Sequence, residues 1–131
     1  MKIYKLTHSA IRPYGYIIDS RCVRDVPRHD AFGILLKEKS KGWRIGYLIV
    51  RERSMKMIEE HPDSLETFEP VRGKCVLALA PYKYPDRMKY FLLDKPVVVK
   101  KKVWHGIFTR SKKSEVKIFE NIEVKTKRIY F

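Results

Sequence analysis

The sequence predicts an all-β fold. Apolar and polar residues alternate at a period of two in short segments, and residues typical of turns separate these segments. No segment keeps a helical period over about ten or more residues. We therefore predict one domain, residues 1–131, with about ten short strands that form a closed barrel or a two-sheet jelly roll. The period alone fits both arrangements.

The N-terminal part contains one short segment with helical features. Around Thr7 to Ile11, either Thr7 or Ser9 is placed to cap a single turn of helix. Turn residues follow at Arg12 to Gly15 and at Lys41-Gly42. This part of the chain is therefore expected to hold little regular helix.

The segment SMKMIEEH is the first clear strand pattern in the middle of the chain. In extended form it directs four side chains to one face: Met55, Met57, Glu59 and His61. Glu60 points to the other face and is expected to be exposed. The turn His61-Pro62-Asp63-Ser64 is expected to return the chain on a neighbouring strand, which brings Glu66 beside Glu59 and His61.

The rest of the chain is rich in Val, Ile, Phe and Tyr and is predicted to form strands. The segments are, in order, KCVLALA, KYFLLD, VVVKKKV, GIFTR, SEVKIFE and KRIYF. Turns at Arg72-Gly73, Pro81 to Pro85 and Asp94 to Pro96 separate the first of them. The residues expected to supply core contacts are Met55, Met57, Val76, Leu77, Leu79, Phe91, Val99, Val103 and Phe108.

Composition narrows the class of protein. No run approaches the roughly 20 apolar residues of a membrane-spanning helix, and the start, MKIYKLTHSA, lacks the apolar stretch of a signal peptide. We therefore expect a cytoplasmic protein without a membrane partner. Two cysteines, Cys22 and Cys75, are too few for a disulfide scaffold or a four-thiolate zinc site. The absence of Gln, the single Asn and the 34% charged residues are typical of heat-adapted proteins.

The net charge of +14 lies mainly in the second half of the chain. Residues 1–70 hold 13 Lys and Arg against 10 Asp and Glu, whereas residues 71–131 hold 16 against 5. Such an excess can mark a surface for an anionic partner such as nucleic acid. No helix-turn-helix, zinc-finger or RNA-binding motif accompanies it, which leaves a solvated basic face as the other interpretation.

Glu59, His61 and Glu66 are expected to face the interior of such a barrel. Burying these groups without partners costs several kcal/mol each, so the interior must offer them a metal ion, a substrate or one another. His105, in KKKVWHGIF, follows Val97, Val99 and Val103 at even steps and therefore shares the apolar face. We treat these four polar residues as one candidate site.

The spacing His61-x4-Glu66-x6-Gly73 resembles the first motif of the cupin superfamily, with Glu59 in the place of its usual first histidine. His105 falls where the second cupin motif has its histidine. More closely, the chain resembles the ureidoglycolate lyase family, also called ureidoglycolate hydrolase. The matching stretches are Tyr14 to Ile18, Glu59 to Pro62, Phe68-x-Pro70-x-x-Gly73, Ala80-Pro81, Pro85-Asp86, Phe91 and Val103-Trp104-His105. The resemblance implies a double-stranded β-helix, the jelly-roll barrel of cupins.

The resemblance also implies an activity, the cleavage of ureidoglycolate into glyoxylate and urea, or a reaction on a related 2-hydroxy or 2-oxo acid. The reaction needs a base for the hydroxyl proton, an acid for the departing nitrogen and a cation for the carboxylate. His105 or Glu66 is the candidate base, and His61 is the candidate acid. The candidate cations for substrate binding are Arg51, Lys100 and Lys101.

The same four polar residues are also candidate metal ligands, as in many cupins. The set is Glu59, His61, Glu66 and His105, and its mixed nitrogen and oxygen donors suit Zn, Mn, Ni or Fe. We also expect a homodimer. The chain departs from the family pattern at Val99, Lys100 and Gly106, next to the second motif. Two functions stay open: a cupin enzyme for a small carboxylate, and a non-catalytic cupin-fold module whose basic surface binds an anionic partner.

Overall fold

Two β-sheets account for most of the regular structure in the computed structural model, which describes residues 1–131. The strands are β1 (Ile3–Tyr4), β2 (Gly15–Ile17), β3 (Trp43–Val50), β4 (Met57–Glu60), β5 (Glu66–Arg72), β6 (Cys75–Ala80), β7 (Lys89–Leu93), β8 (Val97–Val99), β9 (Trp104–Thr109), β10 (Ser114–Asn121) and β11 (Lys127–Tyr130). One helix, α1 (His8–Ile11), and one 3-10 helix (Ser20–Cys22) complete the chain. The predicted all-β class is confirmed.

The two sheets form a jelly roll. The six-stranded sheet has the order β1-β7-β6-β9-β4-β11, and the five-stranded sheet has the order β2-β8-β5-β10-β3. Only β1 and β7 pair in parallel. Strands that follow one another in sequence mostly lie in different sheets or apart in one sheet, as the crossing connections of a jelly roll require.

Local chemistry explains the short helix and one tight turn. Thr7 caps α1, because its hydroxyl oxygen accepts a hydrogen bond of 3.2 Å from the backbone N–H of Ala10. Gly73, between β5 and β6, has a φ of +87°, and a Cβ there would lie 2.5 Å from the carbonyl oxygen of Lys113. Only glycine fits that turn without strain. Both features were predicted from the sequence.

The main core lies between the sheets and contains 15 buried apolar residues. Seven of the nine predicted core residues are buried: Val76, Leu77, Leu79, Phe91, Val99, Val103 and Phe108. Met55 and Met57 are only half-buried, and only Met55 contacts a core cluster, so the prediction was wrong for Met57. Met57 lines an open cavity between the sheets, and Met55 packs against a small cluster around Trp104 on the outer face of the six-stranded sheet.

The connection from β4 to β5 decides where the polar residues meet. β4 belongs to the six-stranded sheet and β5 to the five-stranded sheet, so residues 61–65 cross from one layer to the other. The expectation that Glu66 returns on a strand beside Glu59 was therefore wrong. Glu66 instead faces Glu59 across the interior, because side chains on the inner faces of both sheets point toward the same core.

Two further features differ from the sequence-based expectations. Glu60 is fully buried, at 0% exposure, and not exposed. Strand β3, for which no prediction was made, is an edge strand with four exposed apolar side chains on its outer face: Trp43, Ile45, Tyr47 and Ile49. No helix in the structure has the length and apolar character needed to cross a membrane.

Candidate active site

A cavity of about 390 Å³ opens between the two sheets. Its size falls within the range of roughly 300 to 1,000 Å³ that is common for small-molecule sites. Four residues predicted from the sequence line it together: Glu59, His61, Glu66 and His105. The structure therefore brings the whole candidate set into one place, although its members span residues 59 to 105.

One row of side chains reaches the cavity from the six-stranded sheet. Arg128 on β11 is directly opposite Glu59 on β4, and Glu59 is directly opposite His105 on β9. Directly opposite residues on neighbouring strands have side chains close enough to interact. The Arg128 Nε–H accordingly donates to Glu59 Oε2 at 3.2 Å, while Glu59 Oε1 lies 3.8 Å from His105 Nε2.

A matching row reaches the cavity from the five-stranded sheet. Arg44 on β3 is directly opposite Glu120 on β10, and Glu120 is directly opposite Glu66 on β5. The Arg44 Nε–H donates to Glu120 Oε2 at 2.9 Å, and Arg44 Nη2 lies 2.8 Å from the same oxygen. Each sheet thus contributes an arginine, then a carboxylate, then a residue at the centre.

His61, in the loop between β4 and β5, joins the two rows. Its Nε2 lies 2.8 Å from Glu66 Oε1 and 3.8 Å from Glu59 Oε1. The same Glu66 oxygen lies 3.3 Å from His105 Nε2, and the two imidazole rings are 4.9 Å apart. Two histidines and two carboxylates therefore meet within contact distance in a buried space.

The other ring nitrogens show which atom of each histidine faces the cavity. His61 Nδ1 lies 3.1 Å from the carbonyl oxygen of Lys125, and His105 Nδ1 lies 3.2 Å from that of Val103. A carbonyl oxygen can only accept, so both Nδ1 atoms carry the proton and donate it. In the neutral rings, Nε2 then presents its lone pair to the cavity, as a metal-binding histidine does.

The charges of the cluster reinforce one another. Burial alone would lower the pKa of His105, but its contacts with Glu59 and Glu66 outweigh burial and raise this pKa to about 10. Burial alone would raise the pKa of Glu66, but both histidines oppose it and hold the pKa at about 2. The pKa of His61 is also raised, because Glu66 outweighs burial, and contact with His105 lowers the pKa of Glu59. Without a metal ion, His105 and Glu66 at neutral pH are therefore an imidazolium and a carboxylate.

These residues also fit a divalent metal ion. The ligand atoms of Glu59, His61 and His105 lie within 4.8 Å of one another, and so do those of His61, Glu66 and Glu120. Three buried atoms, His61 Nε2, His105 Nε2 and Glu66 Oε1, have no well-aligned hydrogen bond despite their short contacts. Converging lone pairs from imidazole and carboxylate groups suit Zn, Mn, Ni or Fe, and the donor set does not select one of them.

Arg51, Lys100 and Lys101, the cations predicted to bind substrate, do not line the cavity. Strand β8 ends at Val99, and residues 100–102 form a turn in which Lys102 has a φ of 68°. Strand alternation therefore stops before the lysines. Lys100 donates to the carbonyl oxygen of Arg12, and Lys101 pairs with Glu38.

Arg44, Glu120 and Arg128 line the cavity instead, and the sequence analysis gave none of them a role. Arg128 belongs to the predicted strand segment KRIYF. Its alternation with the apolar Ile129 is the sequence signal that puts the two side chains on different faces of the strand. Arg44 and Glu120 lie 76 residues apart, so their pairing across β3 and β10 was not visible in a single sequence.

No protein-family model and no curated protein matches the sequence. Solved structures do match. RmlC from Streptococcus suis, in complex with dTDP-D-xylose, aligns with a TM-score of 0.55 and 12% identity over 93% of this chain and 73% of that chain. A dTDP sugar isomerase from Desulfovibrio desulfuricans aligns with a TM-score of 0.54 and 16% identity over 82% and 80%.

QdtA, a sugar 3,4-ketoisomerase from Thermoanaerobacterium thermosaccharolyticum in complex with TDP, aligns with a TM-score of 0.51 and 14% identity over 63% of this chain and 61% of QdtA. The match thus covers less than two thirds of QdtA. A cupin 2 domain-containing protein from Halorhodospira halophila aligns with a TM-score of 0.50 and 16% identity over 71% and 60%. Likeness at this level of identity shows the fold, so the predicted cupin-type jelly roll is confirmed. The likeness does not extend to the ureidoglycolate lyase family, which remains an expectation from the sequence.

Proposed function

We propose that the cavity holds a divalent metal ion and a small carboxylate, and that the protein is an acid–base enzyme of the ureidoglycolate lyase type. The observation that carries this proposal is the buried meeting of two histidine Nε2 atoms with two carboxylates in one cavity. Buried ionisable groups with displaced pKa values in a cleft are characteristic of catalytic sites. The cupin fold neighbours support a small-molecule ligand.

The reaction needs one base and one acid. Ureidoglycolate carries a hydroxyl group and a urea nitrogen on one carbon. Loss of the hydroxyl proton lets a C=O bond form while the C–N bond breaks, and the departing nitrogen gains a proton. Glyoxylate and urea result, and no other reactant is consumed.

Glu66 and His61 suit these two roles. Glu66, whose pKa is about 2, is ionised and accepts the hydroxyl proton. His61, whose pKa is raised, carries the proton that the nitrogen needs. Their separation of 2.8 Å lets the proton return from Glu66 to His61 after each cycle. His105, at 3.3 Å from Glu66, orients this carboxylate and is the alternative base.

Glu59, His61 and His105 are the residues that would hold a metal ion, with Glu66 beside them. Such an ion supplies Lewis-acid polarisation of a substrate oxygen. A histidine that binds the ion gives up its Nε2 proton, so the acid role then passes to another group. Glu120 is the candidate, because burial and the neighbouring Glu66 raise its pKa although its ion pair with Arg44 opposes this rise.

Two of the fold neighbours were solved with bound ligands that bear on the substrate class. RmlC was solved with dTDP-D-xylose and QdtA with TDP, which are small anionic ligands. The cavity of about 390 Å³ suits a smaller molecule such as ureidoglycolate or a related 2-hydroxy or 2-oxo acid.

Calorimetry with glyoxylate tests the proposal. Glyoxylate is titrated into the metal-loaded protein, the chelator-treated protein and His105→Ala, and metal content is measured by elemental analysis. We expect about one divalent ion per chain, a binding heat for the loaded protein and little heat for the other two samples. The rate of ureidoglycolate cleavage to glyoxylate is measured with the same three samples. It should be high for the metal-loaded protein and low for the chelator-treated protein and for His105→Ala.

Equal heats in all three samples would contradict the proposal and favour the non-catalytic alternative. That alternative has its own basis in the net charge of +14. It predicts co-purifying nucleic acid, seen as a high ratio of absorbance at 260 nm to that at 280 nm. It also predicts that binding weakens steeply with salt, because neutralised phosphates release counterions.

A further inference from the structure

The mouth of the cavity carries two arginines, one from each sheet. Arg44 lies on β3, the last strand of the five-stranded sheet, and Arg128 lies on β11, the last strand of the six-stranded sheet. Their side chains are 52% and 48% exposed, whereas Glu120 and Glu59 beneath them are 13% and 22% exposed. Each arginine thus stands between a partly buried carboxylate and the solvent.

Both guanidinium groups keep free N–H donors. Arg44 uses its Nε and Nη2 on one oxygen of Glu120, and Arg128 uses its Nε on one oxygen of Glu59. The remaining donors, Nη1 of Arg44 and both Nη atoms of Arg128, have no protein partner. A guanidinium held along one edge by a carboxylate is oriented in advance, and its free edge matches the geometry of another carboxylate.

The two arginines lie at the outer ends of the two rows of side chains that begin at His105 and Glu66. Glu59 links Arg128 to His105 on one side, and Glu120 links Arg44 to Glu66 on the other. Both arginines line the same cavity, so a molecule that contacts both lies across its mouth. A molecule with two carboxylates can pair with both guanidinium groups at once.

We infer that Arg44 and Arg128 form a clamp for a small dicarboxylate, with one carboxylate on each guanidinium across the mouth of the cavity that contains His61 and His105. This inference rests on the proposed function, because among the related 2-hydroxy and 2-oxo acids proposed for this cavity it selects those with two carboxylates. Glu120 and Glu59 occupy only one edge of each guanidinium, which leaves its other N–H donors for a ligand.

Matched pairs of acids test the clamp. Succinate and butyrate have the same chain length, as do malonate and propionate, and each is titrated by calorimetry into the wild-type protein, Arg44→Gln and Arg128→Gln. We expect the wild type to bind each dicarboxylate at least about tenfold more tightly than its monocarboxylate. Each single substitution should lower the dicarboxylate affinity to the level of the monocarboxylate and leave monocarboxylate affinity within about threefold.

Arg72→Gln is the matched control. Arg72 also pairs through Nε with a glutamate, at 2.9 Å from Glu115 Oε2, and it is 69% exposed, but it does not line the cavity. This variant should bind like the wild type. Equal affinities for the two acids of a pair, or a dicarboxylate preference that survives both cavity substitutions, would overturn the inference. Thermal unfolding of each variant checks that it is folded, and Arg44→Lys and Arg128→Lys should restore part of the preference.

The titrations are run on metal-loaded and on chelator-treated protein, so that the clamp and the proposed function can fail separately. A preference for dicarboxylates that depends on both arginines supports the clamp even if no metal binds and ureidoglycolate is not cleaved. Metal binding and turnover without any such preference contradict the clamp and leave the proposed function standing.

Discussion

Glu66 Oε1 lies 3.3 Å from His105 Nε2, although Glu66 is on β5 of one sheet and His105 is on β9 of the other. Both side chains are buried, at 7% and 6% exposure. The contact therefore links the two layers of the jelly roll through charged groups. Such a link contributes to stability only while both groups keep their charges, so stability should depend on pH.

The metal-free protein should lose stability as the pH rises from about 6.5 toward 10. The pKa of His105 is about 10 in the folded protein, against 6.5 for an ordinary histidine. A group with a raised pKa contributes fully below its unfolded value, and this contribution is lost as the pH rises through the folded value. Thermal unfolding of chelator-treated protein between about pH 6.5 and 9 measures the effect.

The contact between Glu66 and His105 should also lose its contribution to stability at low pH, where Glu66 becomes protonated. Its pKa is lowered from 4.5 to about 2, so its contribution is present above about pH 4.5 and is lost as the pH falls toward 2. In Glu66→Gln the decline above pH 6.5 should be smaller, because His105 loses one of the two carboxylates that raise its pKa. A decline of equal size in both proteins would show that His105 does not titrate against Glu66.

Metal binding should strengthen with pH over the same range. A histidine binds a metal through its unprotonated nitrogen, and the raised pKa values of His61 and His105 mean that a proton must leave first. We expect the affinity for Zn²⁺ to rise about tenfold per pH unit for each proton displaced. Competition with a chromogenic chelator between about pH 6.5 and 8.5 measures this slope.

His8→Gln is the control for the metal prediction. His8 pairs with Asp19 at 2.7 Å, outside the cavity, and its loss should leave the affinity and the slope unchanged. His105→Asn should bind Zn²⁺ more weakly and with a shallower slope. An affinity that is the same at all pH values would mean that these histidines are not the ligands.

Alternation along the strands was enough to predict which face most site residues share. Glu59 and His105 were assigned to the interior because they keep step with apolar neighbours, and the structure puts them directly opposite each other. Alternation with a period of two shows which face of a strand a side chain occupies, but it does not show to which sheet the strand belongs. A five-residue loop such as 61–65 can close a hairpin or cross between layers, so the position of Glu66 was predicted in the wrong sheet.

The arginines were missed for a different reason. In the segment WRIGYLIV, which became β3, the outer face carries Trp43, Ile45 and Tyr47, so apolar residues lie on both faces and the alternation is obscured. The polar inward residue of this strand, Arg44, could not be recognised. The role of Arg128 depends on its ion pair with Glu59. Glu59 lies 69 residues away in sequence but is directly opposite Arg128 on the neighbouring strands β4 and β11.

Replacing Glu60 by methionine should stabilise the protein. Glu60 is fully buried on β4, two residues after Ile58, and neither of its carboxylate oxygens has a hydrogen-bond partner. An unpartnered buried polar group costs about 1–3 kcal/mol, and Met has a similar volume without that cost. Glu60→Met should therefore raise the free energy of unfolding by about this amount, as measured by urea denaturation.

Glu69→Met is the matched control for Glu60. Glu69 is 51% exposed and lies 3.4 Å from Lys117, and exposed ion pairs of this kind contribute little. Its replacement should change the free energy of unfolding by less than about 0.5 kcal/mol. If Glu60→Met destabilises the protein instead, the carboxylate of Glu60 has a favourable partner and the argument from its missing hydrogen bonds is wrong.

The last prediction concerns the expected homodimer. Strand β3 is an edge strand whose outer face exposes Ile45 at 68% and Trp43 at 60%, and a long apolar edge of this kind favours pairing with another chain. A charge at its middle should oppose that pairing. We expect light scattering after gel filtration to show a dimer for the wild type and a monomer for Ile45→Lys. Val26→Lys, at an apolar position 48% exposed and outside β3, should remain dimeric. A wild-type monomer, or an Ile45→Lys dimer, would rule out this face as the dimer interface.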